Sequence, residues 1–259
     1  MFFRIFSYLL FASAIGTALA NSDLDRGDYW YQNRAAGAKD DKADRKIADN
    51  ITDAYRRALA DSNVEEIAAE KLLNALYFKG CFAAPEREDR MKIHTEAKLF
   101  GERMHTKYPK NKRITSLYAI NLSLWAKEYG PLEAIRQGAA KRVRDLADSA
   151  EDYQILGRAH QLLPYIPLLL NWPDKKLADK YLQMAIYTHP DDLNNFLFLA
   201  ELRMDQERYQ EALNLIDKAL LLGIRKDYIL EDRRTRWKLK SLREQVTEKM
   251  KTASQTFPF

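Results

Sequence analysis

The segment FLFLAELRMDQERYQEALNLIDKA (residues 196–219) decides the fold. Phe196, Leu199 and Ala200 fall on one face of a helix, and a second helix opens at Ala212 and continues through Ile216 and Ala219. Tyr209 lies in the turn region between them. These intervals are those of a tetratricopeptide pair, in which small residues mark where two antiparallel helices approach closely and larger apolar ones fill the gaps. The same pattern is written once before. Tyr153, Leu156 and Gly157 match the first helix, and Ala178, Leu182, Ala185 and Pro190 match the second position for position. Between those two helices lies an insertion with Pro164, Pro167 and Pro173 around Trp172. An insertion in a repeat is usually spent on a binding surface or on a plug over an apolar face. Further upstream, Ala97, Gly101, Met104 and Pro109 give the second-helix spacing a third time.

The remaining chain is also helical in its periods. Amphipathic helices are expected over residues 40–60, 64–83, 92–108, 114–129 and 132–148, the fourth stopped by Gly130-Pro131. The expected fold is therefore all-α, an α-solenoid of irregular tetratricopeptide-like helix pairs spanning 40–226 as one domain. Residues 227–259 supply a C-terminal capping helix and tail, whose stripe Leu239, Leu242, Val246 and Met250 faces inward. Residues 21–39 show no clear period and are expected to form an irregular lead-in, with Tyr29, Trp30 and Tyr31 available to dock on the body.

Composition agrees with helices joined by short turns. The 259 residues include only 9 Gly and 8 Pro, and 31% are charged. Residues 1–20 have the layout of a secretory signal peptide: Arg4, an apolar run from Ile5 to Thr17, and the small-residue triplet Ala18-Leu19-Ala20. A retained membrane anchor is the alternative for this segment, and its apolar run is short for a span. Export to the periplasm is the expectation, and no cysteine stands at the cleavage site to accept a lipid. The formal charge of +5 is spread over the whole chain, so no nucleic-acid footprint stands out. The basic C-terminal helix is interrupted by Glu231, Asp232, Glu244 and Glu248, which favours a polar cap over a membrane or nucleic-acid surface.

Motifs for chemistry are missing at the level of local sequence. There is no phosphate-cradling glycine loop, no HExxH or CxxC, and no GxSxG. The four histidines are isolated and Cys81 is the single cysteine, so no metal, cofactor or catalytic residue is assigned and the chain is read as a non-enzyme. Binding is the better expectation. In helix-pair solenoids the first helix of each pair lines a groove, and the residues after the small positions are Arg158 and Glu201. They either pair with each other or present a cation and an anion to a peptide, a partner helix or a small apolar acid, with Arg158 as the anion contact. Asn121, Trp125, Asn194 and Asn195 belong to the same class of helices, and Tyr165 and Trp172 on the insertion are expected to be accessible.

Four segments in order, Ser116-Leu-Tyr-Ala-Ile-Asn-Leu-Ser-Leu-Trp125, Tyr153-Gln-Ile-Leu-Gly-Arg158, Asp174-Lys-Lys-Leu-Ala178 and Asn195-Phe-Leu-Phe-Leu-Ala-Glu201, resemble the T component associated with tripartite ATP-independent periplasmic (TRAP) transporters. The resemblance spans about residues 64–222. It implies an all-helical periplasmic protein that self-associates and engages the solute-binding component of a secondary transporter. A general cell-envelope scaffold without a small-molecule ligand is the alternative function.

Overall fold

The computed structural model describes residues 23–256 apart from residue 169. The expected signal peptide and the terminal Phe257-Pro258-Phe259 lie outside the described residues. Among the described residues there is no β-strand, and the architecture is all-α, built of tetratricopeptide-like helix pairs. No described helix is long and apolar enough to cross a membrane. The chain divides into two compact units at Tyr129 and Gly130. The division falls where the sequence breaks the helix. Gly130 takes φ 92° and Pro131 opens the next helix, so neither residue can continue the preceding one.

The first unit contains α1 (residues 23–32), α2 (Arg45–Ala58), α3 (Glu65–Phe82), α4 (Arg87–Lys107) and α5 (Lys112–Tyr129). The expected irregular lead-in is thus corrected to a helix. Its Leu24, Trp30 and Tyr31 pack against the core formed by Ile51, Tyr55, Leu72, Leu76 and Leu117. Gly27 belongs to this helix because a Cβ there would stand 2.4 Å from the Tyr55 ring. Tyr55 in turn donates its hydroxyl to Asp28 at 2.8 Å. The α2 helix starts where Asp44 accepts from the amides of Lys46 and Ile47, a cap worth about 1 kcal/mol. The expected contact of small residues is real in α4: Ala97 and Gly101 are buried, and Gly101 lies against the Tyr118 ring of α5.

The second unit contains α6 (Pro131–Arg136), α7 (Ala139–Ala150), α8 (Tyr153–Leu162), α9 (Lys175–Thr188), α10 (Leu193–Asp205), α11 (Tyr209–Leu221) and α12 (Ile229–Thr256). The single helix expected over 132–148 is two, because Gly138 adopts a left-handed φ of 63° between α6 and α7. Aspartates cap the matched first helices: Asp152 accepts from the Ile155 amide and Asp192 from the Asn194 amide. Ala178, Leu182 and Ala185 of α9 are buried, as are their counterparts Ala212, Ile216 and Ala219 of α11. Gly157 lets α8 meet Leu182, whose Cγ would lie 2.7 Å from an added Cβ. As expected, Leu239, Leu242 and Val246 of α12 close this core against Leu193, Phe196 and Leu197. Each such buried leucine contributes roughly 2 kcal/mol of burial free energy.

At the start of α12 the N-terminal turn is pinned electrostatically. Asp232, wholly buried, accepts from the Arg225 amide and guanidinium, and Arg225 also reaches Asp192 at 3.3 Å. The three groups tie α12 to the cap of α10.

Candidate functional site

The insertion between α8 and α9 is a small built structure. Ile166 and Leu170 exchange both backbone hydrogen bonds, at 2.8 and 2.7 Å, which closes a tight hairpin around Leu168. Leu168 sits at φ 67°, a left-handed conformation that costs a non-glycine residue roughly 1 kcal/mol or more. It is fully exposed. Leu162 and Tyr165 are also largely in solvent, at 61% and 63% exposure. Leu170, by contrast, is buried.

The base of this loop is fastened at several points. The Asp174 amide donates to Nδ1 of His160 at 3.1 Å, which requires the neutral imidazole with its proton on Nε2. Burial lowers the His160 pKa, Asp174 opposes that shift, and Arg144 adds to it. Trp172 packs edge-on against the same imidazole, with centroids 5.0 Å apart, and the Arg144 guanidinium lies 5.1 Å from the indole centroid. The Lys175 ammonium hydrogen-bonds the Gln161 carbonyl, and Asp174 caps α9 through the amides of Lys176 and Leu177. The result is an apolar tip on an anchored stem.

Among the residues expected at the site, Tyr165 is accessible as anticipated. Trp172 corrects the expectation of an accessible ring, since it is half-buried and its Nε1 is enclosed without a hydrogen-bond partner. A loop side chain of that size gains more by folding onto the stem than by standing in water.

Arg158 and Glu201 are brought together and form an ion pair. Arg158 also donates to the Gln161 side chain at 2.8 Å and lies 4.3 Å from the Phe198 ring centroid. Of the two readings the sequence allowed, mutual pairing is the one found, so Arg158 is not a cation waiting for a ligand.

The asparagines are structural. Asn195 is buried and donates to the carbonyls of Ala185 and His189 while accepting from Gln154, which ties the end of α9 to the start of α10. Asn194 accepts from the Thr235 hydroxyl at 2.9 Å. In the first unit, buried Asn121 donates to the carbonyls of Leu73 and Leu117. Trp125 is buried against Tyr129 at 4.9 Å, with the Lys98 ammonium 3.8 Å from its ring centroid. Within the second unit, Arg158, Asn194, Asn195 and Glu201 are therefore engaged in packing between helices, and Tyr165 alone of the six expected there stands largely in solvent. Exposed Leu162, at the C-terminal end of α8, and Leu168, at the tip, were not anticipated. For Leu168 the apolar run between Pro167 and Pro173 was the available signal, because prolines on both sides hold such a run out of a helix.

Among the described residues no group of three or more His, Cys, Asp or Glu side chains is placed to hold a metal ion. Cys81 is half-buried within α3.

No family model matches the chain. No curated protein matches it either. Among solved structures, the TPR2AB-domain:pHSP90 complex of yeast Sti1 matches with 14% identity over 90% of this chain and 100% of that one, at a TM-score of 0.31. The helix pairs described above stand on their own packing.

Proposed function

We propose that this chain is a non-catalytic, periplasmic adaptor that docks a protein partner through the tip of the α8–α9 insertion, and that the partner is the solute-binding component of a TRAP-type transporter. The observation that carries the docking reading is the pairing of an anchored stem with exposed Leu162, Tyr165 and Leu168. A preformed tip offers apolar contact area without the ordering cost of a flexible loop. Leu168 is held at unfavourable φ and wholly in solvent, an arrangement that serves presentation rather than packing. The choice of partner and self-association rest on the sequence resemblance, and export rests on the signal-peptide layout of residues 1–20.

Cross-linked affinity purification of the C-terminally tagged chain from its native envelope, read by mass spectrometry, tests the partner. Recovery of a periplasmic solute-binding protein supports the proposal. Recovery of only cell-wall or outer-membrane machinery makes the chain a general envelope scaffold and overturns the transporter assignment. Sedimentation of the purified chain tests self-association.

A further inference from the structure

A second surface lies on α9 itself, where its outward face and the α10–α11 turn enclose an open depression of about 700 Å³. Its walls are Lys176, Lys180, Gln183 and Met184 from α9, with Gln206 and Arg208 from the turn. The one carboxylate lining it, Asp179, is already held by both guanidinium nitrogens of Arg203 at 2.7 Å. Arg208 is likewise paired with Glu211 at 2.6 Å. The Lys176 and Lys180 ammonium groups, by contrast, make no hydrogen bond or ion pair among the described residues.

That placement is unfavourable for an empty surface. Like charges one turn apart on a helix destabilise it by a few tenths of a kcal/mol. The Asp174 cap already meets the positive end of the α9 dipole, so what remains uncompensated is the repulsion between the Lys176 and Lys180 ammonium groups. An anion in the depression relieves it. The row of exposed side chains then continues along the same face through Gln183 to Tyr187, which is 88% exposed. From Lys176 to Tyr187 this row covers about 16 Å at the helical rise.

We infer that this α9 face binds an acidic peptide segment of a partner protein, with Lys176 and Lys180 pairing with its carboxylates and Met184 and Tyr187 taking apolar or aromatic side chains. The length of the row selects a peptide over a small anion, which would engage only one end of it. The surface is separate from the insertion tip in its chemistry. It recognises charge, whereas the tip presents apolar side chains, and each is removable without the other.

The test is fluorescence anisotropy of a labelled peptide of alternating Glu and Tyr, titrated with the full chain at low and high salt. The expected result is saturable binding that weakens with salt and falls about tenfold in K176E/K180E, with K240E/K249E on α12 binding as wild type. Should the reversed charges disturb folding, as circular dichroism reports, K176Q/K180Q gives the same loss. An equal loss in K240E/K249E, no saturable binding, or full displacement by millimolar inorganic phosphate would each overturn the inference. Leu168→Asp leaves this binding intact, so its failure and that of the insertion-tip proposal are distinguishable.

Discussion

Arg158 and Glu201, placed just after the small residues of successive first helices, are ion-paired with each other across α8 and α10. The pair bridges neighbouring repeats instead of opening a ligand site. A half-buried pair of this kind contributes about 1 kcal/mol. Arg158→Ala also loses the Phe198 contact, so it costs more than Glu201→Ala, and the double variant costs less than the two together. Urea unfolding of the three variants measures the coupling, and strict additivity would mean that the pair contributes nothing.

Close approach at glycine is the second measurable feature. Gly157→Ala forces a Cβ to 2.7 Å from Leu182 and to 3.0 Å from its backbone nitrogen, so α8 and α9 must move apart. The expected loss is roughly 1–3 kcal/mol, as for other overpacked contacts. Gly223→Ala meets open space and serves as the control, with little change in melting temperature.

His94 predicts an acid-sensitive first unit. Burial pushes its pKa down to about 4, with Glu128 opposing and Arg90 and Lys127 adding. Above pH 6.5 the imidazole is neutral in both folded and unfolded chains and stability is unaffected. As pH falls from 6.5 towards 4 the unfolded chain takes up the proton first, so stability declines, by about 3 kcal/mol in all. His94→Gln should flatten that part of the stability–pH curve, and an unchanged slope would exclude His94 as its source.

His160 makes a local prediction of the same sign. Its Nδ1 accepts the Asp174 amide only when the ring is neutral, so acid removes the acceptor at the base of the insertion. Burial lowers the His160 pKa, which keeps the contact intact at neutral pH and places its loss below 6.5. Hydrogen exchange at the Asp174 amide should accelerate in acid beyond the intrinsic trend, and that extra acceleration should vanish in His160→Gln.

Much of the helical framework was legible because apolar periodicity and small-residue spacing report helix packing directly. Ala178, Leu182 and Ala185 are buried in the same order as Ala212, Ile216 and Ala219. Glycine was the main source of error, because its role depends on neighbours distant in sequence. Gly27 has the look of a loop residue yet sits in α1 under Tyr55, whereas Gly138 has the look of a tolerated helix residue yet breaks α6 from α7. The Leu24 and Tyr31 pair, two turns apart, was the signal for α1.

The candidate site was less legible for a different reason. Polar residues on first helices serve either a groove or a buried network, and burial decides between them. Asn121 and Asn195 donate to backbone carbonyls, Leu73 of α3 and Ala185 of α9 among them, a function that local sequence does not distinguish from ligand binding. The insertion was recognised as an insertion, but which of its side chains faces water follows from the His160–Trp172 contact and the Ile166–Leu170 bridge. Neither contact has a signature in local spacing.

The central claim, that the insertion tip is the docking surface, is tested most directly by site-specific photo-cross-linking in the native envelope. The account predicts that a benzoylphenylalanine replacing Leu168 cross-links a periplasmic solute-binding protein, while one replacing exposed Trp237 on α12 does not. Cross-linking of that partner from position 237 and not from position 168 would contradict it.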